Sequence, residues 1–286
     1  MDRARTSGMI RRSVMFTPGD RPEMLRKAPE SDADVIVFDL EDAVAPERKA
    51  EARGIVGDLL SDPEFDPDPE ICLRVNPEFA EDLTVLEHAR PDSLMLPKAA
   101  SKGDVAALDE QVREYGDSLP LLALIESAAG VLAAPEIAEQ DATDALVFGA
   151  EDLSADIGAT RTTEGTEVLY ARERVVIAAS AGGINAIDTV YTDIEDIEGL
   201  SDETRFAIQL GYDGKMAIHP GQVKPINEAF TPDSEEIAWA ERVLDARDRA
   251  NEEGRGVFRV DGEMIDAPLI AQAERIKERA RVAETK

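Results

Sequence analysis

Leu121-Leu122-Ala123-Leu124-Ile125-Glu126-Ser127 is an unbroken apolar run that stops on a carboxylate and a hydroxyl. Residues 128–139 follow with helical period, and Ala145-Leu146-Val147-Phe148-Gly149-Ala150-Glu151-Asp152 then repeats the pattern. A short apolar run without polar alternation reads as a strand buried on both faces. Strand, amphipathic helix and strand in succession make the unit of a parallel sheet.

The unit recurs on both sides. Apolar, β-rich runs stand at Ser13 to Phe16, Val35 to Phe38, Ile71 to Val75, Ser93 to Leu96, Ile184 to Ile187 and Lys215 to Ile218, which makes eight with the two above. Helical period fills Lys49 to Leu60, Lys102 to Tyr115 and Val168 to Ala181, so the expected order is strand then helix throughout. Eight such units predict an α/β fold, a (β/α)8 TIM barrel over residues 10–230. The strand ends favour closure: Thr17-Pro18-Gly19-Asp20, Asp39-Leu40-Glu41-Asp42, Arg74-Val75-Asn76-Pro77, Pro97-Lys98, Glu126-Ser127, Asp188 and His219-Pro220 are polar or Gly/Pro clusters that a barrel gathers on one face. Residues 231–286 are left as a C-terminal extension. It has a helical segment from Ser234 to Glu253, a turn at Gly254 and Gly256 beside the strand-like Val257 to Val260, and a last helix from Ala267.

The chain has 286 residues and 43% apolar content, enough for one large core. No apolar run reaches the roughly 18 to 20 residues of a membrane span. Met1 to Arg12 lacks a signal peptide's apolar stretch, so a soluble, cytoplasmic protein is expected. Cys72 is the single cysteine and sits in an apolar run, which suits a buried small side chain. Sixty-one acidic against 31 basic residues, 23 of these Arg and 8 Lys, leave a net charge of -30 that repels nucleic acid and anionic membranes. Acids scattered so evenly suit a salt-rich cytoplasm. Neither GxGxxG nor GxxxxGK[ST] occurs, so those nucleotide-binding routes have no support.

Glu126 and Asp152 close neighbouring strands in a barrel, about 5 Å apart at the backbone. Two such carboxylates either share a divalent cation or are solvated strand-end acids. Oxygen ligands favour Mg2+ or Mn2+ over zinc, for which His88 and His219 are too few and too scattered. Arg74, at the same rim, can grip a carboxylate or enolate oxygen in two-pronged geometry, or pair with a nearby acid. Asp39, Glu41 and Asp42 crowd one strand end and call for a neighbouring cation, which Lys98 can provide. A barrel lysine can also serve Schiff-base chemistry.

Together, Arg12-Ser13-Val14-Met15-Phe16-Thr17-Pro18-Gly19, Asp39-Leu40-Glu41-Asp42-Ala43-Val44, Arg74-Val75-Asn76-Pro77, Leu96-Pro97-Lys98, Ile125-Glu126-Ser127-Ala128-Ala129-Gly130, Phe148-Gly149-Ala150-Glu151-Asp152-Leu153 and Ile218-His219-Pro220-Gly221-Gln222 resemble the citrate lyase beta-subunit-like family of the HpcH/HpaI aldolase superfamily. Seven ordered blocks are far more specific than one motif, and the one departure, Ser127 where Thr is commoner, keeps the hydroxyl.

The resemblance implies that Glu126 and Asp152 bind Mg2+, that Glu126 and Arg74 engage the substrate, and that Arg12, Phe16 and Lys27 help to hold CoA. Arg74, Asp39, Glu41 and Asp266 are the expected catalytic residues. Gly262-Glu263-Met264-Ile265-Asp266-Ala267-Pro268 resembles the tail of the malyl-CoA, β-methylmalyl-CoA and citramalyl-CoA lyases, whose Asp transfers a proton in a neighbouring subunit's site. A helix N-cap is the simpler role for Asp266. The implied activity is reversible cleavage of a 3-hydroxyacyl-CoA to acetyl-CoA or propionyl-CoA and a 2-oxo acid, glyoxylate first, by a homotrimer or homohexamer. A CoA-independent Mg2+ aldolase and a carrier-dependent citrate lyase beta subunit are the alternatives.

Overall fold

The structure is a computed structural model that describes residues 11–252, 254 and 256–283. Eight parallel strands close into a barrel in sequence order. They are β1 (Ser13–Pro18), β2 (Val35–Asp39), β3 (Glu70–Arg74), β4 (Ser93–Leu96), β5 (Leu121–Ile125), β6 (Thr143–Phe148), β7 (Asn185–Asp188) and β8 (Gly214–Ala217). Closure comes from β1 pairing with both β2 and β8, with Val14 opposite Val35 on one side and Met216 on the other.

Helices α1 (Pro22–Lys27), α2 (Lys49–Leu60), α3 (Lys102–Glu114), α4 (Ala128–Ala138), α5 (Ala150–Asp156), α6 (Leu169–Gly182), α7 (Ile197–Leu210) and α8 (Pro220–Phe230) occupy the connections and follow β8. One connection departs from the expected order. Between β3 and β4 there is a 3-10 segment, Asp82–Glu87, and no α-helix. Pro77 and Pro91 bracket that short link and disfavour helical backbone before them, which leaves little room for a full helix. The α-helices begin and end on local signals. Ser127 caps α4 by accepting the Gly130 amide at 3.1 Å, Asp196 caps α7 by accepting the Gly199 amide at 2.9 Å, and Gly211 ends α7 in left-handed backbone at φ 106°.

Alternation along each strand sorts the side chains. Val14, Val35, Val37, Cys72, Met95, Leu122, Leu124, Ala145, Val147, Ile187 and Met216 point inward and form one buried cluster. Cys72 lies within it, and burial pushes its thiol up to about 12. The N-terminal end of the barrel is plugged by Arg11, which donates to Glu70 at 2.7 and 3.1 Å and pairs with Asp144 at 2.6 Å.

The opposite parity carries a buried ionic cluster between sheet and helices. Asp188 of β7 accepts two bonds from Arg172 of α6, at 2.8 and 2.6 Å, and one from Lys215 of β8 at 2.8 Å. Lys215 also meets Glu203 of α7 at 2.8 Å. Asp188 and Lys215 are fully buried, and the two cations hold the Asp188 carboxyl below its ordinary value although burial, the largest influence, opposes this.

The chain divides into two compact units at Asn227/Glu228, inside α8. The second contains α9 (Ser234–Glu252), β9 (Phe258–Val260), β10 (Glu263–Ile265) and α10 (Ala267–Ala283). It has its own core of Val243, Phe258, Val260, Ile265 and Ile276 among others. β9 and β10 are an antiparallel hairpin through Asp261-Gly262, both at positive φ. Asp-Gly is a strong two-residue turn signal, and sequence reading passed over it.

Candidate active site

The inward parity of the strands continues past the apolar layer. Two residues beyond Val37 comes Asp39; the same step leads from Cys72 to Arg74, Leu124 to Glu126, Val147 to Gly149 and Ile187 to Thr189. All five step endpoints line one cavity of about 410 Å³ at the C-terminal mouth, with Phe16, Asp42, Asp152, Val190, Met216 and Ile218. That volume suits a small acid and the acyl end of a larger ligand. Asp39, Asp42, Glu126, Asp152 and the Arg74 guanidinium supply the charged part of the lining, and Phe16, Leu124, Val190, Met216 and Ile218 supply apolar wall.

Arg74 is held from several directions. Its Nε and Nη2 donate to the two Asp39 oxygens at 2.7 and 2.6 Å, Nη1 lies 2.9 Å from Glu41, and the guanidinium sits 4.9 Å from the centre of the Phe16 ring. Burial works against its charge, yet the hydrogen bonds to Asp39 and the charges of Asp39, Glu41 and Asp42 outweigh that and raise its pKa. Sequence reading offered Arg74 as either a substrate contact or an ion-pair member. It is an ion-pair member that also lines the cavity, and the N–H groups not spent on Asp39 and Glu41 remain for a ligand oxygen.

Asp39 is pinned further by the amides of Glu41 and Ala43, which donate at 2.8 and 3.1 Å. Glu41 is buried with neither carboxylate oxygen hydrogen-bonded, and burial, opposed by Arg74 and reinforced by Asp42, pushes its pKa up to about 7. Glu126 is similar: desolvation, with repulsion from Glu41 and Asp152, pushes it up to about 7 against the lowering effect of the Lys98 amide. That amide donates to Glu126 Oε1 at 2.8 Å, and Lys98 adopts left-handed backbone at φ 52° where β4 ends. Strain of this kind is tolerated where a backbone group must face a site. The Lys98 ammonium lies 3.6 Å from Glu41, which makes it the counter-cation expected of it.

Asp152 lines the cavity from a different element than expected. β6 ends at Phe148, and Asp152 lies in the first turn of α5, where acidic residues are favoured by the helix dipole. The junction is fastened on both sides. The Gly149 amide donates to Ile125 O at 3.0 Å, and the Ala150 amide donates to Thr189 Oγ1 at 3.1 Å. Gly149 admits no side chain, because a Cβ there would stand 2.7 Å from Glu126 Cβ.

Among the described residues no group of three or more His, Cys, Asp or Glu converges as a metal cage. Two carboxylates that border open space match magnesium, which takes one or two protein carboxylates and fills its octahedron with water and ligand oxygens. Buried Glu126, disfavoured as an anion by desolvation and by Glu41 and Asp152, is the kind of group a divalent cation would relieve. The donor set therefore fits.

Three other expected residues stand elsewhere. Arg12 precedes β1, at the barrel end opposite the cavity, and its guanidinium bonds Asp34 at 2.8 and 3.0 Å. The whole length of β1 separates it from the mouth, so a ligand-holding role there is not supported by its place. Lys27 ends α1 and is exposed, outside the cavity lining, whereas Phe16 is within it. Asp266 belongs to the second unit, exposed at the position preceding α10, and its carbonyl accepts the Ile270 amide at 3.1 Å. Thr189 and Gly149 had not been singled out, although the i+2 step from the buried strand residues was a usable signal.

The family described as HpcH/HpaI aldolase/citrate lyase matches residues 12–220. Human mitochondrial citramalyl-CoA lyase is 36% identical over 285 residues, covering 92% of this chain and 84% of that protein. The citrate lyase beta subunit of Leuconostoc mesenteroides subsp. cremoris is also 36% identical, covering 93% and 92%. The crystal structure of CitE from Mycobacterium tuberculosis in complex with magnesium, acetoacetate and coenzyme A aligns at TM-score 0.79 and 37% identity, over 95% of this chain and 98% of that one. With the barrel, the mouth and these relatives together, the chain belongs to the HpcH/HpaI aldolase/citrate lyase family, as a carbon–carbon lyase of its citrate lyase beta-like branch.

Proposed function

We propose that the protein is a magnesium-dependent lyase that reversibly splits a short 3-hydroxyacyl-CoA into an acyl-CoA and a 2-oxo acid. The reading rests on one observation: Arg74, Glu126 and Asp152 line the same cavity, together with apolar residues. Glu126 and Asp152 would hold the cation, with the small acid's oxygens completing its shell. When bound, magnesium supplies a Lewis acid that draws electron density from the forming oxo group.

The chain's own residues account for the rest. As the carbon–carbon bond breaks, its electron pair passes to the thioester enolate, while the hydroxyl's O–H electron pair becomes the second bond of the oxo group and its proton passes to solvent water. Arg74, held by Asp39 and Glu41, presents its remaining N–H groups to the negative oxygen, a fixed positive charge that needs no reorganisation during the step. Asp266 of a neighbouring subunit protonates the enolate carbon, or removes that proton in the condensation direction. This role makes the second unit part of a partner's site in a homotrimer or homohexamer.

Malyl-CoA and β-methylmalyl-CoA, which release glyoxylate, are the favoured substrates on the tail segment. The likeness to a citramalyl-CoA lyase adds citramalyl-CoA, which releases pyruvate. One methyl group is worth only about 1 to 3 kcal/mol in a pocket, so the three must be compared directly. Equal identity to a citrate lyase beta subunit keeps the carrier-dependent reading as the rival.

The test is incubation of the purified chain with each CoA ester, Mg2+ and high salt, following oxo acid release. Turnover by the chain alone is expected, lost in EDTA and in Glu126→Ala and Asp152→Ala. Full activity in EDTA refutes the metal role, and turnover only with an acylated carrier protein establishes the rival.

A further inference from the structure

We propose that Thr189 is a positioning residue for Asp152: its hydroxyl fixes the start of α5 and thereby the direction from which Asp152 reaches the cation. The inference rests on the reading of Glu126 and Asp152 as magnesium ligands.

Helix α5 has only seven residues, too few to hold a fixed direction by its own hydrogen bonds. Its orientation comes from what pins its first turn. The Gly149 amide is taken by the β5 backbone and the Ala150 amide by Thr189 Oγ1, so neighbours on either side of β6 clamp the junction two residues before Asp152. Thr189 is 1% exposed and lines the cavity. It is itself held firmly, because the preceding Asp188 is locked by Arg172 and Lys215. Without the hydroxyl the Ala150 amide loses its acceptor in a dry setting, and the first turn is free to shift. Groups that orient a ligand residue in this way influence metal affinity by about 10- to 100-fold.

The experiment uses the full chain with Mn2+ alone as probe, titrated by electron paramagnetic resonance. It compares wild type with Thr189→Val, which keeps the shape, Thr189→Ser, which keeps the hydroxyl, and Asp152→Asn. Amide exchange over residues 150–156 and the melting temperature are measured in parallel. Thr189→Val is expected to bind Mn2+ about tenfold more weakly and to exchange faster over 150–156 while melting close to wild type, and Thr189→Ser is expected to restore both. Unchanged Mn2+ affinity in Thr189→Val beside weak binding in Asp152→Asn overturns the positioning role and leaves the metal reading intact. Thr189→Ser failing as fully as Thr189→Val overturns it too, since the hydroxyl is then not the agent. Wild-type-like binding by Asp152→Asn, or no binding by wild type, removes the metal reading, and unchanged exchange in Thr189→Val then also overturns the hold on α5.

Discussion

At Glu126, burial and charge pull against each other. Desolvation raises the carboxyl from 4.5 to about 7, so between those values the folded protein keeps a proton that the unfolded chain has released. Stability from this group is therefore present below pH 4.5 and lost as pH rises through 7. In chelator, Glu126→Gln should exceed wild type at pH 8 by on the order of 3 kcal/mol. The gap should shrink to under about 1 kcal/mol at pH 5, and urea unfolding at the two pH values checks this. Gly149 is the second residue on which the site turns. Gly149→Ala would bring a Cβ to 2.7 Å from Glu126 Cβ and 3.0 Å from its Oε2, so the glutamate must move. Turnover should fall about a hundredfold, the scale of an ångström's misplacement, and normal oxo acid release by this variant would show that Glu126's position does not matter.

Among the elements, β7 and β8 are tied to α6 and α7 by charge as well as by apolar packing. Asp188 pairs with both Arg172 and Lys215, and Glu203 lies within reach of both as the second acid. Asp188→Ala would leave two cations in a dry environment with Glu203, at 23% side-chain exposure, as the one acid in reach among the described residues. A loss of about 3 to 5 kcal/mol is expected, measured by denaturant unfolding. Lys215→Met should cost less, because the Arg172–Asp188 pair survives it. None of this network was visible in sequence, where Asp188 stood only as a polar strand end and Arg172 as one residue of a helix. Its members lie 16 and 27 residues from Asp188, and only the outward parity of β7 and β8 brings them together.

For the whole molecule, the proposal is that Asp266 completes the site of a neighbouring subunit. If Asp266 serves a neighbouring subunit, mixing Glu126→Ala with Asp266→Ala, each inactive alone, should restore part of the lyase rate after subunit exchange. In a mixed oligomer some sites would combine an intact metal pair with an intact Asp266. No recovery from a mixture shown by native mass spectrometry to contain hybrids would place Asp266 in its own chain's chemistry or outside it.

Periodicity between adjacent residues was enough to specify the strands, the barrel, the polar mouth and the presence there of Arg74, Glu126 and Asp152, because a buried strand and an amphipathic helix are local patterns. Which of those residues touch was decided by closure and register. Arg74 meets Asp39 across 35 positions and Ala150 meets Thr189 across 39, contacts that no local pattern encodes. The same geometry sent Arg12 to the far end of β1 and Asp152 from a strand end into a helix. Strand parity, acting only once the barrel has closed, sets which of this chain's many acids share a cavity with an arginine.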